Sequence, residues 1–250
     1  MPVLGVIPAR LGSTRLPRKP LQPLAGVPLV IRVVERVRSL GCVDTLVVAT
    51  DSTEVAAVAK QAGVECVLTS SAHETGTERV AEVAARPEFA GFGLIVNVQG
   101  DEPFVPRDAV AGAILRVRGG DDVGSAAAPL APADAGDPSR VKVVLDGNGR
   151  ALYFSRAAIP FIRDGGARAE GLYWQHLGVY VASRETLLRW AALPPSALEL
   201  AERLEQLRAL QAGIGFGIVR LDAPALPGID TPDDLRRAEA WWHETQGVTT

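Results

Sequence analysis

Cysteine and histidine are both scarce in this chain of 250 residues, which has two of the first and three of the second. Cys42 and Cys66 are far apart and flank apolar runs, a spacing that gives neither a disulfide framework nor a thiolate metal site. Both read as buried hydrophobes in a reducing compartment. His73, His176 and His243 stand apart, and no G-x-S-x-G elbow accompanies them, so covalent nucleophilic catalysis is disfavoured. No apolar run approaches the ~20 residues of a membrane crossing, and the start lacks the basic n-region and long h-region of a signal peptide. A cytoplasmic protein with no membrane partner is expected. Charge of one sign is missing too: 26 basic against 29 acidic residues leave a net −3, which provides no global basic field for nucleic acid. Two phosphate fingerprints are absent, since there is no G-x-x-x-x-G-K-[ST] and no G-x-G-x-x-G after the first strand. This argues against a P-loop nucleoside triphosphatase and a dinucleotide-dependent dehydrogenase.

What is present begins at once. Val3 to Ile7 is a short, β-branched apolar run suited to a buried parallel strand, and Pro8 ends it. The segment from Ile7 to Pro20 then carries Arg10, Arg15, Arg18 and Lys19 and no acidic residue. In open α/β sheets ligands sit beyond the carboxyl ends of the strands, so these cations are expected where a polyanion binds. Gly12, Ser13 and Thr14 add permissive backbone and hydroxyl donors.

The remaining pattern alternates. Strands are expected at Leu46 to Ala49, Val64 to Leu68 and Leu94 to Val98. Helices are expected at Leu29 to Leu40, Glu54 to Ala62 and Glu78 to Ala85, giving a mostly parallel sheet covered on both faces. With 47% hydrophobic residues, the chain is read as one α/β domain over 1–250. After Ser125 the texture changes. Val141 to Leu145 and Leu152 to Phe154 flank Asp146-Gly147-Asn148-Gly149 and predict a β-hairpin. Residues 139–182 are expected to form an embedded antiparallel extension, suited to an oligomer contact.

Two carboxylate sites follow from local chemistry. Gly100-Asp101-Glu102 ends a strand at the same sheet edge as the basic loop. Asp101 is therefore a candidate Mg²⁺ ligand, because that ion is commonly held by one or two carboxylates together with phosphates. Asp230 precedes Thr231-Pro232-Asp233-Asp234, a helix start, and by pattern alone is a turn residue. Asp51 is read as helix capping together with Glu54. Ser196 to Gln211 is expected as one helix, with a capping box at Ser196 and Glu199, a stripe of Leu200, Leu204 and Leu207, and a stop at Gly213. Glu205 and Gln206 lie off that stripe, on its solvent side.

IPARLGSTRLPRKPL, NVQGDEPF, VKVVLD, ALYFSRAAIPF, HLGVY, LEQLRAL and GIDTPDDL, in this order over nearly the whole chain, closely resemble the 3-deoxy-manno-octulosonate (Kdo) cytidylyltransferase family. The resemblance implies a Rossmann-like nucleotidyltransferase sheet and a homodimer. It further implies Mg²⁺-dependent transfer of CMP from CTP to the 2-hydroxyl of the sugar acid, for lipopolysaccharide biosynthesis. Carried over by position, Arg10, Lys19 and Asp101 would be catalytic. Arg10, Ser13, Arg15, Lys19, Thr75, Arg79 and Gln99 would contact the nucleotide, with Arg79 as the charged end of the base and ribose region. Gln99, Arg156, His176, Tyr180, Glu205 and Gln206 would form the sugar-acid pocket, and Asp101 and Asp230 would hold the metal. For Asp230, Glu205 and Gln206 this reverses the pattern-based expectation.

The sequence departs from the family at Thr75, where serine is usual, and at Arg18, where glycine is common. It departs again before Val141-Lys142, where the family often carries asparagine and Asp137-Pro138-Ser139-Arg140 stand here, and at Val181, where glycine is usual. The last two changes bear on the sugar side and the dimer segment. At the level of sequence, Kdo, its 8-amino analogue, another sugar acid such as a nonulosonate, and a non-catalytic nucleotide-binding relative all remain open.

Overall fold

A computed structural model describes residues 1–163 and 171–246. Strand β1 (Val3–Ala9) is buried along its whole length. Val3 and Ile7 enter one apolar cluster and Leu4 and Val6 the other, the period of two for a strand covered on both faces. A small ribbon, β2 (Pro23–Leu24) and β3 (Val27–Pro28), follows the basic loop. Helix α1 (Leu29–Leu40) buries Val30, Val33, Val34 and Val37, and it ends on Gly41 in the left-handed region at φ 63°. Next come β4 (Thr45–Thr50), α2 (Thr53–Gln61), β5 (Glu65–Leu68), α3 (Gly76–Ala85), β6 (Leu94–Val98) and α4 (Arg107–Arg118). They are followed by β7 (Val123–Pro129), the hairpin β8 (Lys142–Leu145) and β9 (Ala151–Ser155), β10 (Trp174–Ser183) and α5 (Arg184–Ala191). The chain finishes with α6 (Ala197–Glu202), α7 (Gln206–Gln211), β11 (Phe216–Arg220) and α8 (Pro232–Gln246).

The main sheet runs β11-β7-β10-β6-β1-β4-β5, with β10 antiparallel to both neighbours and the other pairs parallel. The α/β expectation holds. From β1 the chain winds outward through β4 and β5, then returns to put β6 on the other side of β1. That reversal is a topological switch point, where a crevice opens beyond the strand ends. Helices α1, α2 and α4 cover one face, and α3, α5 and α7 the other. Helix α8 packs Ala238, Leu235 and Trp242 against Leu16, Leu24 and Leu29, which anchors the far end of the basic loop.

The expected hairpin is present: Val143 pairs with Phe154, and Asp146 closes the turn by accepting from the backbone amides of Asn148 and Arg150. Of the expected extension over 139–182, residues 164–170 lie outside the described residues.

Four sequence readings are corrected. Ser196 to Gln211 is two helices, because Arg203 turns left-handed at φ 54° and stops α6. Leu200 is consequently 53% exposed while Leu204 and Leu207 are buried. The cap of α2 is Ser52, whose hydroxyl accepts from the Val55 amide, and Asp51 instead pairs with Arg79 at 3.0 Å. Arg18, also left-handed at φ 55°, turns to Glu54 and does not line the crevice with the other cations. Cys42 and Cys66 are half-buried free thiols whose pKa values burial raises.

Candidate active site

The crevice at the switch point is a cleft of about 670 Å³. One wall is the loop after β1, and the floor is the loop after β6. Gly100 permits their contact, since a Cβ there would stand 2.5 Å from the Pro8 carbonyl oxygen. Lys19 extends across the floor and donates to Asp101 Oδ2 at 2.6 Å and Asp230 Oδ1 at 2.8 Å. Burial disfavours its ammonium, but the two carboxylates outweigh burial and raise the Lys19 pKa. Arg15 reaches Asp230 Oδ2 at 3.0 Å, and Arg10 donates to the Glu74 carbonyl at 3.3 Å. Ser13 accepts from the Leu16 amide and thereby shapes the loop. The fold thus gathers Asp230, a turn residue by pattern, with Asp101, from more than a hundred positions away in the chain.

Asp101 and Asp230 meet at one ammonium and so face a common position. Two hard oxygen ligands open to a cationic cleft suit a divalent metal that completes its shell with phosphate oxygens and water. A closed protein cage is not formed: no group of three or more His, Cys, Asp or Glu arranged for a metal occurs among the described residues.

Glu102, not singled out from sequence, lies beside this pair. Burial and the neighbouring Asp101 charge push its carboxyl up to about 8. Its signal was available in Gly100-Asp101-Glu102, where two consecutive acids end a buried strand.

The amino end of α3 forms the next wall. Thr75 caps the helix by accepting from the Glu78 amide at 3.2 Å, while Glu78 Oε2 accepts from the amides of Thr75 and Glu74. Helix amino ends favour anions. Arg79 is almost fully buried and divided among Thr69, the Ser70 carbonyl and Asp51, so it braces this wall from behind.

The opposite end of the cleft is buried and polar. His176 Nε2 lies 2.8 Å from Ser125 Oγ, whose own hydrogen goes to the Val179 carbonyl at 2.7 Å. Ser125 therefore accepts from Nε2–H, which leaves Nδ1 as an acceptor. Burial pushes His176 down to about 3, so the ring is neutral at physiological pH. Tyr180 packs 5.5 Å from the His176 ring, and burial raises its phenol far above the usual range. Glu205 accepts from the Thr77 hydroxyl at 2.9 Å and from the Thr77 amide at 3.3 Å, with Gln99 Nε2 at 3.5 Å. Burial, opposed by the Thr77 hydrogen bonds, raises its pKa. Gln206 is 2% exposed and lines the same cleft. The solvent-facing expectation for Glu205 and Gln206 fails because the turn at Arg203 rotates them inward.

Arg156 stands at this end with its guanidinium on the carbonyls of Glu202, Pro138 and Arg203. Behind it Lys142, wholly buried, donates to the carbonyls of Asp137, Arg140 and Arg156. Arg140, which the sequence reading did not select, lines the cleft and donates to Gln175 Oε1 at 3.1 Å. Apart from Arg18, the fold therefore brings the sequence-selected site residues to one cleft or its immediate backing.

Comparison with known proteins identifies the family. A family model described as Cytidylyltransferase matches residues 4–218. A 3-deoxy-manno-octulosonate cytidylyltransferase of Gemmatimonas aurantiaca is 53% identical, over 97% of this chain and 95% of that protein. A protein of the same name from Polynucleobacter necessarius is 45% identical, over 94% and 93%. The solved structure of CMP:2-keto-3-deoxy-manno-octonic acid synthetase complexed with CTP matches with a TM-score of 0.89 at 35% identity, over 98% of this chain and 100% of that one. On sequence and structure together, the chain belongs to the cytidylyltransferase family, in its 3-deoxy-manno-octulosonate cytidylyltransferase branch.

Proposed function

We propose that this chain transfers the cytidylyl group of CTP to the 2-hydroxyl of Kdo, releasing pyrophosphate. The sugar oxygen forms a bond to the α-phosphorus, and the bond from that phosphorus to the bridging oxygen of the β-phosphate breaks. The electron pair leaves with pyrophosphate, and the hydroxyl proton passes to solvent. Such a displacement needs alignment and charge neutralisation rather than a covalent intermediate. The observation that carries this reading is the junction of Lys19 with Asp101 and Asp230, at 2.6 and 2.8 Å, between a cationic wall and a polar, buried one. The activity named for the relatives at 53% and 45% identity supports the assignment of both substrates.

In this reading Arg10, Arg15 and Lys19, with Ser13, hold the triphosphate, and Thr75 and Gln99 border the nucleoside. Arg79 supports that wall from behind. Asp101 and Asp230 would hold Mg²⁺, which when bound would neutralise triphosphate charge and steady the leaving pyrophosphate. The Lys19 ammonium, now shared between the two carboxylates, would be available to phosphate oxygens. At the other end Arg156 faces the sugar carboxylate, while neutral His176, Tyr180, Gln99, Glu205 and Gln206 read hydroxyl groups.

The antiparallel extension would carry the homodimer contact, a role supported by the exposed apolar side chains of Leu152, Phe161 and Leu172. The product would enter lipopolysaccharide synthesis, with the reaction in the cytoplasm. Incubation with CTP, Mg²⁺ and Kdo, followed by phosphorus NMR, should give a sugar-linked CMP and pyrophosphate in equal amounts. Binding of CTP with no product from Kdo would contradict the assignment.

A further inference from the structure

One buried arginine joins two helix caps beside the cleft. Arg208 is 5% exposed. Its Nε and Nη2 donate to Glu199 Oε2 and Oε1, each at 2.7 Å. Its Nη1 donates to Glu78 Oε1 at 3.2 Å and to the Leu193 carbonyl at 3.0 Å. Both carboxylates are capping-box residues: Glu78 closes the start of α3 and Glu199 the start of α6. Each uses Oε2 on its own cap backbone and still meets the guanidinium. A planar fork held between two fixed carboxylates sets orientation as well as distance.

Helix α7, which carries Arg208, begins just after the left-handed turn at Arg203 and presents Glu205 to the first turn of α3. There Glu205 accepts from both the hydroxyl and the amide of Thr77. The apolar side of α7, with Leu207 and Ala209 and the preceding Leu204, packs into the core and seats the helix, while Glu205 lies on the polar side, where hydrogen bonds and ion pairs set its aim.

We propose that Arg208 is a positioning residue for the sugar-acid end: by tying α7 to the caps of α3 and α6, it fixes the Glu205 carboxylate where a sugar hydroxyl is read. This rests on the proposed function and adds to it the residue that assembles one end of the site. Arg208 acts through Glu205 and not on the reacting atoms.

The test uses Arg208→Gln and Arg208→Lys, alone and combined with Glu205→Gln, with thermal unfolding to verify folding. Arg208→Gln is expected to lower kcat/KM for the sugar acid by about tenfold or more while KM for CTP stays within about threefold. Because the loss runs through Glu205, the double variant should fall no further than Glu205→Gln alone. Lysine restores charge without the fork and should recover only part of the loss. If Arg208→Gln fails to fold, the lysine variant carries the same comparison. Additive losses, or equal loss for both substrates, would overturn the proposal. Hydrogen exchange supplies a readout apart from turnover: the Thr77 amide should exchange faster in both variants while amides of α4 keep their protection. Unchanged Thr77 exchange would overturn the positioning role even in an inactive protein. A wild type that protects Thr77 yet makes no product from Kdo contradicts only the functional assignment.

Discussion

At the end of the cleft proposed for the triphosphate, Arg10 and Arg15 stand in solvent, each with a single partner among the described residues, one a backbone carbonyl and the other Asp230. At the end proposed for the sugar, His176, Tyr180 and Gln206 are buried, and Glu205 is already fixed on Thr77. Exposed ion pairs contribute about 0–1 kcal/mol, so the first set can exchange partners for phosphate at little cost. Buried hydrogen-bonded groups are costly to rearrange, so the second set forms a preorganised template. In the proposed function, charge density would select the polyanion, and fixed hydrogen-bonding groups would select the sugar.

The sharpest way to break that contrast is at the floor they share. Asp101→Asn should lower kcat by about 10²- to 10³-fold or more while leaving the unfolding midpoint close to wild type. Wild-type turnover in that variant would remove Asp101 from the metal role. Next in size, Arg156→Ala should raise KM for the sugar acid by about 10- to 100-fold, with KM for CTP within about twofold. Equal loss in both would leave Arg156 with only the task of pinning the carbonyls of Glu202, Pro138 and Arg203.

A smaller effect is expected from pH. The folded-state pKa of His176, about 3, lies below its ordinary value of 6.5. The unfolded chain thus binds more protons between these values, and stability falls as pH drops from about 6.5 towards 3. The contribution is fully present above that window. This residue alone should add a slope of up to about 1.4 kcal/mol per pH unit. Chemical unfolding of wild type and His176→Gln at pH 7 and pH 5 checks it: the variant should lose less stability on acidification, and equal loss would contradict the buried neutral ring. Smallest of all, Arg18→Gly should change KM for CTP by less than about twofold, because Arg18 pairs with Glu54 and adopts a backbone that glycine accepts freely. A large rise in KM would return Arg18 to the phosphate wall.

The triphosphate end was legible because its residues lie in one stretch after a strand that could hardly be anything else. β1, β4, β6 and α1 carry strong periods, and tertiary packing had only to confirm them. Strand β7 escaped notice because Gly124-Ser125-Ala126-Ala127-Ala128 lacks the usual β-formers. Its small residues answer to α4: a Cβ on Gly124 would stand 1.9 Å from the Ala113 carbonyl oxygen. The sugar end was legible only by resemblance. Nothing local marks the left-handed turn at Arg203, with neither glycine nor proline there, and the periodic pattern runs straight through it. Arg208 and its partners Glu199 and Glu78 are likewise joined only by folding, across 130 positions in the last case.

The most direct measurement is pyrophosphate release with Mg²⁺, comparing CTP with UTP and, as acceptors, Kdo, 8-amino-Kdo and N-acetylneuraminate. Release with CTP and an octulosonate, and with no other pairing, is the result this account predicts. Equal release with UTP or with N-acetylneuraminate, or none with any acceptor despite CTP binding, would contradict it.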